Sequence, residues 1–475
     1  MSRSKPFSVR NRNLDLEFAP PSFIHDDKLI VPINISDLAI HFAVDVANQR
    51  VTGTSRVKFS LSQTGHPFLD LVPEPTRVTL DGQEIDPSQF SVLRPAENVA
   101  HLRFLDVELN AKASHLLEVE YPVTGSTVIF ANGGIRLGLF LNDLSQRSFL
   151  ERYALANLEF DQSPMRIEIE LSGAASSHQL FANGAVSEIA SNAWKIDFPA
   201  YFTCSSSYVH LTNRLVAVAG QIFHGQERDV PVTVYGDDAY VVNHELSRAV
   251  AFMKELEATF GPYAHPEMLI YVARTVEPSL AGMEYCGATM TTPGVLSHEI
   301  AHSWFGRGVM PANGNAGWID EAIATWRDYQ YVRASGPPNR RPANLAGFSK
   351  FRRDTTRDAY KMGMRLMSEI DFLLRDQGGL RPVLQSLYLA KRHELIDTPF
   401  FQKFLEEETG QDLTSIFARY VYGQAVGDAG LTAVDAFAID QEPEFSLTEF
   451  ARKHNLDAPV IPPRPYTPEE LHRLV

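Results

Sequence analysis

The sequence predicts a multidomain β + α protein, with an N-terminal β-sheet domain over 1–229, a mainly helical domain over 230–430 and a C-terminal tail over 431–475. Three observations predict it. At 475 residues the chain is longer than one hydrophobic core usually organises. Up to Phe202 its apolar residues recur with the period of a strand, and after Val230 with the period of a helix. Strands first and helices later, rather than in alternation, point to separate domains and not to one α/β sheet.

From Asp37 to Phe202 the runs LAIHFAVDV, VTGTSRVKFSLS, FLDLV, RVTLDG, HLRFLDVEL, HLLEVEYPV and MRIEIELSG are short, alternating and separated by turn formers, the signature of strands. Asp81-Gly82 predicts a hairpin turn, because both positions of such a turn need positive φ. Near Val230 the strand-like VPVTVY gives way to NHELSRAVAFMKELEATFG, where Leu246, Val250, Met253, Leu256 and Phe260 fall at helical spacing and Gly261 stands at the expected C-cap. Beyond it MLIYVA at 268–273 reads as a buried strand, and helices dominate the rest. The end of the chain, with VIPPRPYTPEE, is Pro-rich and predicted to be extended.

Apolar residues at 44 % and charged residues at 21 % match ordinary soluble composition. The formal net charge of −15 argues against a nucleic-acid partner, which a basic surface would have to attract. Two cysteines, Cys204 and Cys286, give no disulfide framework, as a reducing compartment leads one to expect. The first residues carry no apolar run suited to a secretory signal, and no run of about 18 apolar residues occurs to cross a membrane. The expectation is a cytoplasmic protein with no membrane partner; the pattern specifies no oligomeric state.

Chemistry concentrates in PGVLSHEIAHSWFGRGV, which contains His298-Glu299-Ile300-Ala301-His302. Positions i and i+4 of a helix lie one turn apart on one face, so both imidazoles can reach one ion. An HExxH pattern alone is also compatible with two packed or surface histidines. A third donor changes the balance: 19 residues after His302, GWIDEAIATWRDYQ places Glu321 on a second helix among apolar neighbours, where an unpartnered charge would be expensive. The intervening VMPANGNAG suits a turn that lets the two helices pack. Two His and one Glu make a zinc ligand set that leaves a position open for water, with Glu299 close enough to act as general base. The expected cofactor is one Zn2+ per chain, held by His298, His302 and Glu321.

HEIAHSWFG, followed at the required gap by the Glu of WIDEA, resembles the M1 family of zinc aminopeptidases, and the likeness spans most of the chain. It implies a saddle-shaped β domain followed by a thermolysin-like catalytic domain. Ala281-Gly282-Met283-Glu284-Tyr285 resembles the family's exopeptidase motif, which implies that Glu284 binds the substrate α-ammonium while the backbone at Gly282 and Met283 lies along the substrate. From the residues themselves, Gly282 permits close backbone approach and a carboxylate near a dication can hold a substrate cation in place. Tyr360-Lys361-Met362-Gly363 resembles the segment whose tyrosine stabilises the oxyanion, with the lysine displaced by one position. FFQKFLEEETGQDLTSIFARYVYG looks like the helical end of the catalytic domain.

The chain departs from the family pattern in several places. The gap from Glu284 to His298 is short, Tyr285 stands for Asn, Arg307 follows WFG where Asn is usual, and DEAIA replaces NEGFA. The large C-terminal helical domain is expected to be missing or reduced to the tail, which would open the cleft to longer peptides. The resemblance implies a metallo-aminopeptidase acting on peptide or protein N-termini. The alternatives are a non-catalytic peptide-binding protein on the same fold and another zinc hydrolase activity, endopeptidase or epoxide hydrolase.

Overall fold

A computed structural model describes residues 16–424 apart from 94–100, 126–127, 139–149, 274–281, 340, 348–349 and 352–354. The predicted tail at 431–475, and Ala281 of the exopeptidase motif, lie outside the described residues. The N-terminal half is built on an eight-stranded sheet in the order Ala185–Ala190, Ala193–Phe198, Met165–Ser172, Ile33–Asp45, Arg50–Leu61, His115–Pro122, Arg77–Leu80, Gln83–Ile85. Only Met165–Ser172 on Ile33–Asp45 pairs in parallel; the other pairings are antiparallel. The alternation in MRIEIELS becomes one buried and one open face, with Met165, Ile167, Ile169 and Leu171 inside. Asp81 (φ 51°) and Gly82 (φ 80°) form the two-residue hairpin turn that their sequence predicts. A five-stranded and a four-stranded sheet complete this half, the latter in the order Val128–Ala131, Gly134–Gly138, Val209–Thr212, Gln179–Ala182.

The second half opens with a mixed five-stranded sheet of β1 (Ala217–His224), β2 (Asp229–Gly236), β3 (Met268–Val272), β4 (Gly282–Tyr285) and β5 (Ala288–Thr291), in the order β1-β2-β3-β5-β4. This sheet contains the two strands that the sequence reading anticipates here, VPVTVY and MLIYVA, and adds three more. β4 and β5 have four residues each and show no alternation, because β5 is buried on both faces. They are joined by a tight turn at Gly287 (φ 70°), where a side chain would meet the Glu267 carbonyl.

Helix α1 (Ala239–Phe260) starts at Asp238, whose carboxylate accepts from the backbone N–H of Tyr240 and Val241, and ends at Gly261 (φ 113°). It buries Leu246, Met253, Leu256 and Phe260 against the sheet, as their spacing predicts. The remaining helices are α2 (Leu296–Ala301), α3 (Trp318–Asp328), α4 (Asp358–Leu373), α5 (Leu380–Lys391), α6 (Thr398–Thr409) and α7 (Thr414–Tyr420). They share one core with α1, in which Trp304, Trp318 and Trp326 are fully enclosed. Their indole N–H groups donate to Gly261 O, Thr398 Oγ1 and Val332 O, so the largest side chains around α2 and α3 are fixed in direction as well as position. No helix among the described residues is long and apolar enough to cross a membrane.

Candidate metal centre and active site

Helix α2 is one and a half turns long, and its purpose is local. His298 lies inside it and His302 caps it, which brings their Nε2 atoms to 3.2 Å of each other. From the first turn of α3, Glu321 places Oε2 at 3.2 Å from His298 Nε2 and 3.5 Å from His302 Nε2. Three ligand atoms about 2.0–2.1 Å from a tetrahedral zinc would stand about 3.3–3.4 Å apart, so these residues fit the ion.

The protons support the same reading. His298 Nδ1–H donates to Asp328 Oδ2 at 2.7 Å, and His302 Nδ1–H donates to the Phe305 carbonyl at 3.1 Å. Both Nε2 atoms therefore turn bare lone pairs toward one another and toward a carboxylate, an arrangement that calls for a cation at its centre. Burial lowers the basicity of His302, but Glu284 and Glu321 outweigh it and push its pKa up to about 10, so positive charge, carried by a proton or by an ion, is favoured between these groups. Burial likewise works against the charged form of His298, but Asp328 and Glu321 outweigh it and hold its pKa well above the ordinary imidazole value.

Glu299 is 3 % exposed, and its Oε2 has no hydrogen-bond partner among the described residues. Burial pushes its carboxyl up to about 8, against the pull of His298 and His302 and with the help of Glu284 and Glu321. Against it lies Gly282 of β4: a Cβ there would stand 2.3 Å from Glu299 Oε1. The close approach inferred for Gly282 is thus used to seat the strand on the carboxylate. Met283 is buried behind the strand, and its carbonyl accepts from Thr289 Oγ1. β4 is the edge strand of its sheet, so its outer backbone groups are not used within the sheet.

Glu284, next on β4, accepts at Oε1 from Arg307 Nη2 at 3.0 Å. Arg307 follows Gly306, whose φ of 122° and whose contact with His302 Nδ1 leave no room for a side chain. Tyr360 lies in the first turn of α4, and its hydroxyl donates to Glu321 Oε1 at 2.6 Å. What lets α4 come so near is Gly363, where a Cβ would stand 2.7 Å from Ala322 Cβ on α3.

All eight residues singled out in the sequence thus converge on one region. Two contributors escape the sequence reading. Asp328 lies two helical turns after Glu321 on the same face of α3, a spacing that could have flagged it. Asp320, buried and pushed up to about 8 by that burial, stands 3.8 Å from His302 Nδ1. Glu284, His302 and Asp320 form a second group of potential ligands, but Arg307 already engages its glutamate.

Residues 288–372 match the family model described as the peptidase family M1 domain. No curated protein sequence matches the chain. Among solved structures, native yeast LTA4 hydrolase is similar at 15 % identity and a TM-score of 0.59, over 84 % of this chain and 69 % of that one. An M1 zinc metallopeptidase from Deinococcus radiodurans is similar at 15 % identity and a TM-score of 0.58, over 80 % and 91 %. A point mutant of an M1 zinc metallopeptidase from D. radiodurans, described as bound to Tyr-Ser-Ala substrate, is similar at 13 % identity and 0.58, over 83 % and 95 %. The chain therefore has the two-domain M1 fold, with an M1 peptidase domain match over the segment that carries the candidate ligands.

Proposed function

We propose that this M1-type chain is a zinc-dependent aminopeptidase that removes residues from peptide or protein N-termini. The observation that carries the reading is the near-equilateral set of His298 Nε2, His302 Nε2 and Glu321 Oε2, with the unpartnered carboxylate oxygen of Glu299 beside it. His298, His302 and Glu321 would hold one zinc ion. When bound, the ion supplies Lewis-acid activation of the scissile carbonyl and lowers the pKa of water.

The chain's own residues do the rest. Glu299, buried beside the two histidines with one carboxylate oxygen unpartnered among the described residues, takes a proton from the attacking water and delivers it to the departing amine. Tyr360 turns its hydroxyl from Glu321 toward the substrate carbonyl oxygen as charge develops there, a donor contribution of about 3 kcal/mol in comparable sites. Glu284 receives the α-ammonium, and the outer edge of β4 at Gly282 and Met283 runs along the substrate backbone. Because the amine is fixed beside the ion, the first peptide bond is the one presented. Protein of this kind is expected in the cytoplasm.

The test is turnover of a panel of fluorogenic aminoacyl amides by the zinc-loaded protein, with Glu299→Ala and N-acetylated amides beside it. Turnover that disappears in both controls is the expected result. Cleavage of N-acetylated peptides at internal bonds would reject the exopeptidase reading, and no turnover at stoichiometric zinc would reject catalysis on such substrates.

A further inference from the structure

The residue after the HExxH-WFG segment carries more than its place in a turn suggests. Arg307 is only 6 % exposed, its backbone N–H donates to the His302 carbonyl at 2.8 Å, and its guanidinium is forked between two halves of the molecule. Nη2 donates to Glu284 Oε1 at 3.0 Å, Nη1 to Ser205 Oγ at 2.7 Å, and Nε has no partner among the described residues. Glu159 and Asp320 also face it. A guanidinium so enclosed does not leave, and it does not lose its proton.

We propose that Arg307 is a specificity-determining residue that charge-compensates the amine anchor, so that the site binds an α-ammonium weakly. The inference rests on the reading of Glu284 as that anchor. Oε1 of Glu284 is committed to Arg307, so an incoming ammonium has Oε2 of the same carboxylate. The carboxylate then lies between two cations. Removing Arg307 has two opposed effects on the ammonium: Glu284 loses a fixed partner, and a nearby like charge disappears. In a partly buried site a unit charge a few ångströms away outweighs the rotamer freedom of one glutamate, so the charge effect decides the sign. Glu159 acts in the same direction, since its charge loses the compensation of the guanidinium.

The test is calorimetric binding of L-phenylalanine and L-arginine to the zinc-loaded full chain, with N-acetyl-L-phenylalanine as control. If the acetylated compound binds as well as the free amine, the anchor reading fails, whatever Arg307 does. Where binding needs the amine, Arg307→Gln is expected to tighten it about tenfold or more, while Arg307→Lys, which keeps the charge and loses the fork, stays within about threefold of the unmodified protein. Unchanged or weaker binding in a folded Arg307→Gln protein overturns the proposal. Should that variant show no cooperative melt, the unmodified protein decides: a preference for L-phenylalanine over L-3-phenyllactate of less than about thirtyfold supports a compensated anchor, and a larger one overturns it.

Discussion

At the candidate metal centre each histidine commits its Nδ1–H to an oxygen, and those two hydrogen bonds determine which nitrogen is left for an ion. Asp328 thus belongs to the candidate centre as much as His298, the candidate ligand it orients. Asp328→Ala is expected to weaken zinc binding about 10- to 100-fold, measured by competition with a chromogenic chelator, while the fold persists. An unchanged affinity would remove Asp328 from the centre. Glu299 differs in kind, since it holds no ion and touches no partner at Oε2. Glu299→Gln should lower kcat about 10²- to 10⁴-fold with zinc content unchanged. Retained turnover, or lost zinc, would contradict a proton-transfer role.

Among the elements, β4 and α4 reach the centre through glycine. The first contact is Gly282 against Glu299, and the second is Gly363 against Ala322. At both places the backbone, not a side chain, forms the surface. Gly363→Val would overpack the contact between α3 and α4, an effect of about 1–3 kcal/mol, and would carry Tyr360 away from Glu321. The expected signature is a lower melting temperature together with a reduced kcat; a lower melting temperature with kcat intact would show that Tyr360 is not held by this contact. Gly282 works at shorter range, and a methyl group there displaces Glu299 or the edge strand.

For the whole molecule, the two halves meet behind β4. Asn183 of the N-terminal half donates to the carbonyl oxygens of Ser206 and Cys286, and the Cys286 N–H donates to Ser206 O, so the strand bearing Glu284 is tied to the first domain. Nearby, His210 is buried and kept neutral by that burial and by Arg214 and Arg136, with its pKa pulled down to about 4. An unfolded chain takes up this proton near pH 6.5, whereas the folded one resists until about 4, so stability falls as pH drops through that window. Between pH 7 and 5 the unmodified protein should lose about 2 kcal/mol more than a His210→Gln variant. Parallel stability curves in denaturant titrations would show that His210 does not contribute.

Local pattern determined much of this protein. The period of two in MRIEIELS, the Asp81-Gly82 turn and the helical spacing from Leu246 to Phe260 are consequences of side-chain direction within one element, so they are legible in one stretch of chain. The i, i+4 spacing of His298 and His302 is legible for the same reason. Tertiary structure decided what depends on distance between segments. It paired the two short strands β4 and β5, which have too few residues to show a period. It brought Tyr360 to Glu321 across a small-residue helix contact, set Asp328 behind His298, and placed Arg307 on Glu284. Spacing along a helix is fixed by backbone geometry, but the meeting of segments far apart in the chain is fixed by the packing of the cores beneath them, which no single stretch of sequence contains.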